Sequence, residues 1–267
     1  EQECLVFVQE GNEDVLVSAA HVANHVALGV EIFLQRIGEF LAGGIGRFVG
    51  GEIYRQSGDF FRRTDETSDD VFYRDARFVT HVDNATIKEL TKFYSEMIPH
   101  NSNVLDLMSS WVSHLPSDID YKQVIGIGMN RQELASNQQL DDFVIHDLNA
   151  KPELALPNSE FAFVLTAFSV QYLTQPVAVF STIARLLRPG GISIVAFSHR
   201  MFPTKAINGW QHLNKEDRIR LVGSYHVLTN DFEDPIYFDR SPEKADPLSI
   251  VVSRKRGLHD LANHKTD

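Results

Sequence analysis

A single cysteine, Cys4, stands in a chain of 267 residues. It has no partner for an internal disulfide, so no covalent framework staples the fold, and the chain reads as one suited to a reducing or redox-indifferent compartment. An intracellular location is the expectation. Basic residues are outnumbered: 25 Lys and Arg face 36 Asp and Glu, a formal charge of -11, which repels a phosphate backbone unless the cations are segregated. The one dense basic cluster, "SRKRG" from Ser253 to Gly257, follows an apolar run and reads as a solvated strand end. No nucleic-acid partner is expected.

Long apolar runs are lacking too. "VLVSAAHVANHVALGV", Val15 to Val30, is too short and, with His21, Asn24 and His25, too polar to cross a bilayer. No integral membrane segment is therefore expected. His21 and His25 are spaced one helical turn apart, but the glutamate of a zinc-protease helix and a third ligand are both missing, so no metal site is read there. Neither a GxSxG elbow nor a GxxxxGK[ST] loop occurs, and "GIG", Gly126 to Gly128, lacks the third glycine of a dinucleotide fingerprint. The chain begins at Glu1 without an initiator methionine, which reads as a processed or partial chain in which a targeting peptide would not be visible.

What is present is a 43% hydrophobic composition, enough to bury one full core. Three segments are expected: an N-terminal extension over 1–65, an α/β domain over 66–257 and a polar tail over 258–267. In the extension, "EIFLQRIGEFL" (Glu31 to Leu41) has helical spacing and "AGGIGRFVGG" halts it, so a helical and irregular segment is predicted. "RRTDETSDD", Arg62 to Asp70, reads as a polar linker.

Beyond it the pattern is regular. "NATIKELTKFYSEMI" predicts a helix capped by Asn84 and stopped before Pro99. "NVLDL" (103–107), "KQVIGIG" (122–128), "DFVIHD" (142–147), "FAFVLTAF" (161–168) and "ISIVAFS" (192–198) are short apolar runs without strict alternation, as strands covered on both faces show. Helical stretches such as "RQELASNQ" and "PVAVFSTIARLLR" fall between them. Strand and helix in alternation imply a doubly wound, mostly parallel Rossmann-like sheet. "DPIYFD" (234–239) and "DPLSIVVSRK" (246–255) lie too close together for a crossover and predict a C-terminal antiparallel hairpin, for seven strands in all.

"VLDL", "VIGIG", "VIHDL", "FAFVLTAFSVQYL" and "ARLLRPGGISIVAFS", closed by the hairpin, resemble the class I S-adenosylmethionine-dependent methyltransferase superfamily, most closely its type 11 branch, over about Val71 to Arg256. "FYRDARFVTHVDNATI", "VLDLMSSWVSHLP" and "SHRMFPTKA" are similar to a divergent subset whose first motif lacks its glycines. "LLRPGG", Leu186 to Gly191, is the most specific match, and it has a physical basis: Pro189 ends a helix and the glycines permit the turn's positive dihedrals. It speaks for the fold and not for the chemistry.

The resemblance implies a site at the carboxyl ends of the first strands. There the superfamily brings an acid with a glycine-rich turn after its first strand, a ribose-binding acid after the second and an adenine-reading acid after the third. Here these fall on Asp106 with Met108, Ser109, Ser110 and Trp111, then on Gly128, then on Asp147 followed by Leu148. Gly128 stands where the superfamily has Asp or Glu, and Asn130 is the nearest polar substitute. The hydroxyls of Ser109 and Ser110 can supply the donors that glycine amides otherwise would, or cap the next helix; Trp111 either walls the pocket or packs the core. Ser169 is a further candidate contact with the cofactor. On the acceptor side, His199 is the candidate base and Arg200, with Lys205, the candidate holder of an acidic acceptor. His114, Tyr73 and Arg77 are secondary candidates.

The expectation is therefore methyl transfer from S-adenosylmethionine to a small molecule, possibly an acidic one. The alternative is a catalytically inactive fold kept as a binding or scaffold module. Absence of the glycines and of the second acid favours that alternative, whereas retention of Asp106 and Asp147 favours the enzyme.

Overall fold

The computed structural model describes residues 5–10, 13–18 and 59–257. The chain divides into two compact units, Glu1–Arg47 and Phe48–Asp267. In the first, β1 (Leu5–Glu10) and β2 (Glu13–Ser18) form an antiparallel hairpin. A helical and irregular extension was the expectation for this region. The overlooked signal is two runs rich in β-branched residues, separated only by Gly11 and Asn12. The predicted helix Glu31–Leu41, the glycines that follow it, His21, His25 and the polar tail lie outside the described residues.

The second unit opens with a short helix α1 (Asp69–Phe72) and the long helix α2 (Asn84–Met97). Asp83, one residue before the expected Asn84, caps α2 by accepting from the Thr86 N–H. Then come β3 (Asn103–Leu107), β4 (Gln123–Gly128), α3 (Arg131–Ser136), β5 (Asp142–Ile145), β6 (Phe161–Ala167), α4 (Pro176–Leu186) and β7 (Leu187–Phe197). Helices α5 (Asn208–His212) and α6 (Lys215–Thr229) precede the closing hairpin of β8 (Ile236–Asp239) and β9 (Ser249–Arg254).

The sheet has seven strands in the order β5-β4-β3-β6-β7-β9-β8. Strands β5 to β7 in that order run parallel, and β9 is antiparallel to both β7 and β8. This is the predicted doubly wound architecture with its antiparallel end, and the chain reverses its winding between β3 and β6, where ligand crevices open. The Pro-Gly-Gly turn interrupts the β6–β7 register between Phe161 and Phe163, and Gly190 takes a φ of +74° there.

Helix α6 was not predicted. It buries Leu221 through His226 consecutively, so no apolar stripe repeats at the helical period. Its His226 is fully buried and donates or accepts at Ser193 Oγ at 3.0 Å. Burial pushes that imidazole down to about 3, so it stays neutral as part of the core.

The stretch 62–70, expected as a linker, is bonded into the domain. Arg63 Nη1 lies 2.8 Å from both carboxylate oxygens of Asp69. Lys205 Nζ, with no exposed side-chain surface, lies 3.2 Å from Asp69 and 3.4 Å from Asp65 and also donates to the Thr67 carbonyl. The charges of Asp65 and Asp69 that made this stretch look solvated instead neutralise Lys205, a cation contributed from far along the chain. Burial works to raise the Asp69 carboxyl, but hydrogen bonds from Arg63 and Asn149 and the Arg63 charge outweigh it and hold the group below the ordinary range. Its stabilising contribution is thus present above the usual carboxylate pKa and lost as pH falls through the lowered value.

Asp69→Ala, which strips two buried cations of their shared partner, is expected to cost about 3 to 5 kcal/mol in urea unfolding. Lys205→Met, which leaves the Arg63–Asp69 pair intact, is expected to cost clearly less. Equal losses would show that the carboxylate is not the common anchor.

Candidate functional site

The carboxyl ends of β3, β4, β5 and β6 open on one cavity, about 1150 Å³ including its mouth. Asp106, Met108, Ser109, Ser110, Gly128, Asn130, Asp147, Leu148 and Ser169 all line it. Tyr73, Arg77, Trp111 and His114 do so as well. His199 and Arg200 do not. Arg200 Nε pairs with Asp246 at 2.7 Å and His199 Nε2 lies 3.6 Å from the same carboxylate, both with side chains more than half exposed. With Lys205 buried among Asp65 and Asp69, none of the three side chains expected to serve the acceptor lines the cavity.

The loop after β3 takes its path without glycine. Met108 takes a left-handed φ of 57°, the backbone state glycine adopts freely and other residues adopt at a cost of about 1 to 2 kcal/mol. His114 (φ 57°) and Phe168 (φ 56°) share that state and line the same cavity. The Ser109 N–H donates to the Ile127 carbonyl at 2.7 Å, which folds the loop over the end of β4. As a result a Cβ at position 128 would stand 2.3 Å from the Ser109 carbonyl oxygen. The last residue of β4 is glycine because the loop after β3 occupies the space from which a side chain would leave.

The serines cap no helix; both hydroxyls bind acids. Ser109 Oγ donates to Asp106 Oδ2 at 2.5 Å and Ser110 Oγ to Glu133 Oε2 at 2.6 Å. Asp106 is buried, which raises its carboxyl to about 6 despite hydrogen bonds from Ser109 and Ser113. Trp111 turns outward: its indole N–H donates to the Val79 carbonyl at 3.0 Å and its ring meets Phe78 edge-on. It walls the cavity without filling it.

Asn130 caps α3. Its Oδ1 accepts from the Gln132 and Glu133 amides, and its Nδ2 donates to the Tyr73 and Arg74 carbonyls. Both ends of the amide are spent, so it offers no free group in place of the missing acid. Asp147 Oδ1 closes a turn by accepting from Asn149 and Ala150, and its other oxygen makes no hydrogen bond among the described residues. Leu148 is buried in the core cluster. The buried Ser169 hydroxyl, facing the same cavity, has no hydrogen-bond partner among the described residues.

Sequence reasoning missed Glu133 and His81. Glu133, one turn into α3, accepts from the Arg77 N–H at 2.6 Å as well as from Ser110. Asn130 followed three residues later by Glu133 carries the spacing of a capping box, a signal that could have marked it. Here, however, the acid reaches out to residues 77 and 110 instead of back to its own cap. With Asn130 and Trp111 it holds the segment Tyr73–Val79 along the cavity wall. His81 follows on that segment, and no local pattern distinguishes it. Arg77 packs its guanidinium over Phe72 at 4.5 Å and donates to the Phe72 carbonyl.

Among the described residues no cluster of His, Cys, Asp and Glu is arranged to hold a metal ion, and no helix is long and apolar enough to cross a membrane. Residues 107–195 match a family model described as a methyltransferase domain. That segment carries β4, β5 and β6, the helices between them and most of β7. No curated protein matches the chain significantly. Among solved structures it is similar to the cyclase SpnF (17% identity, 63% of this chain and 80% of that one, TM-score 0.49). It is also similar to a phosphoethanolamine N-methyltransferase of Haemonchus contortus in complex with S-adenosylmethionine (14%, 65% and 52%, 0.47). A third is an S-adenosylmethionine-dependent methyltransferase of Mesorhizobium loti (16%, 61% and 96%, 0.43). At these scores the likenesses carry no functional weight.

Two outcomes follow from the geometry. Gly128→Asp is expected to destabilise the chain by at least about 2 kcal/mol, because its Cβ meets a backbone oxygen; an unchanged melting temperature would mean the loop yields freely. Asp106 has a raised folded-state pKa, so its contribution is complete below about pH 4 and lost as pH rises through about 6. Wild type is therefore expected to lose about 2 to 3 kcal/mol relative to Asp106→Asn across that interval. Parallel stability curves would show that Asp106 ionises normally.

Proposed function

We propose that the cavity binds S-adenosylmethionine and that the chain transfers its methyl group to a small-molecule acceptor. The observation that carries this reading is the convergence on one cavity of all nine residues expected to hold the cofactor. Gly128 without an acid and the fully engaged Asn130 weigh the other way. Three features favour a fit: the open volume, the second Asp147 oxygen and the unpartnered Ser169 hydroxyl.

Asp147 would hold the adenine end, and Asp106 with Ser109 and Ser110 the methionine end. When bound, the cofactor supplies an electrophilic methyl group. The protein's part is to align the acceptor with it and to keep water out, by means of the segment Tyr73–Val79 and the buried loop after β3.

A second reading, binding without transfer, is favoured by the Ser109 carbonyl standing where a side chain at 128 would begin and by the Asn130 amide having no free group.

Calorimetric titration of the full chain with S-adenosylmethionine and S-adenosylhomocysteine tests the first. Binding is expected, weakened about 10-fold or more in Asp147→Ala, as loss of a charge-assisted hydrogen bond implies. Silence at about millimolar ligand would end this reading. Binding in the absence of any methylated product from a broad acceptor panel would favour the second.

A further inference from the structure

Two imidazoles on the cavity wall, His81 and His114, have no hydrogen-bond partner among the described residues. Each stands edge-on to an aromatic ring of the same wall. His81 meets Phe202 at 5.6 Å and 88°, and His114 meets Phe168 at 5.9 Å and 74°. Tyr172 stacks on Phe202 at 6.0 Å and 27°, so the wall beside His81 is a continuous aromatic surface. Such surfaces accept flat apolar rings with offset or edge-on geometry.

We infer that the acceptor is an aromatic compound bearing a hydroxyl, and that His81 takes up the hydroxyl proton during methyl transfer. This rests on the methyl-transfer reading above. The aromatic wall at Tyr172, Phe202 and Phe168 receives the ring. A phenolic hydroxyl is far easier to deprotonate than an alkyl one, which suits a neutral imidazole as base.

The charged and titratable groups facing His81 select it over His114. Burial lowers the basicity of both rings, with His114 pushed down to about 4 by burial and by His81 beside it. Arg77 lowers His81 further. The Glu133 carboxylate acts in the opposite sense and favours the protonated form of His81; no acid does this for His114. Glu133 acts on His81 through its charge alone, since its two oxygens accept from Arg77 and Ser110, and His81 is thus the cavity imidazole whose protonated form a carboxylate favours.

The step balances. The acceptor oxygen forms a bond to the methyl carbon, the carbon–sulfur bond breaks with its pair going to sulfur, and the hydroxyl proton moves to a ring nitrogen of His81. The positive charge lost from sulfur reappears on the imidazolium beside Glu133, from which the proton returns to solvent.

The test uses the full chain saturated with S-adenosylhomocysteine and 4-nitrophenol as optical probe, because the phenol and phenolate forms absorb at different wavelengths. Wild type is expected to bind the probe with an enhanced phenolate band at neutral pH. His81→Gln and His81→Asn, each checked by thermal melting, are expected to lose most of that band while keeping S-adenosylhomocysteine affinity. His114→Gln is expected to retain the band. Binding of the nucleoside without binding of the phenol, an equal band in wild type and the His81 variants, or loss of the band in His114→Gln would each overturn the inference. Failure to bind S-adenosylhomocysteine at all would instead fell the methyl-transfer reading beneath it.

Discussion

The Asp69 carboxylate is the point on which the site's architecture turns. One face accepts from Arg63 and faces Lys205; the other accepts from Asn149 at 2.9 Å. Asn149 in turn donates to the Tyr172 carbonyl, accepts from Thr174 and is itself positioned by Asp147. A single buried acid thus joins the approach to the domain, the turn after β5 and the turn after β6. Breaking one member of such a network leaves the remaining charges without water or partner, so its parts hold one arrangement together. The segment that walls the cavity departs from this anchor.

Around that frame the loop after β3 is held by side-chain bonds. Met108 bears a conformation that glycine would adopt without cost, and Ser109 and Ser110 aim at Asp106 and Glu133. The same loop presses its carbonyl onto Gly128, so its path excludes a side chain at that position. Glu133, one turn later, brings a carboxylate back to the wall from a different element.

Much of the frame was legible in the chain. The five parallel strands, the helices between them and the closing hairpin follow from apolar runs, caps and connection lengths, all of them local signals. The cavity candidates came from the resemblance, which ties a site position to the end of each strand, and Asp106, Gly128, Asp147 and Ser169 do meet at one mouth. Helix α6 was not legible, because it buries six residues in a row between polar ends and so shows no amphipathic period. The charged stretch 62–70 was misread for a related reason: composition does not reveal that its charges find partners at Lys205.

By itself, then, the sequence determined the architecture and the end of the sheet at which a ligand site lies, because hydrophobic period and turn chemistry act over a few residues. Only the tertiary structure decided which polar groups share that site. It turned His199 and Arg200 toward Asp246, committed the Asn130 amide to a helix cap, and brought His81, Glu133 and Arg77 to the wall. Side-chain pairing over tens to hundreds of residues depends on where each element comes to rest. That is fixed by the packing of the whole core and not by any local run of the chain.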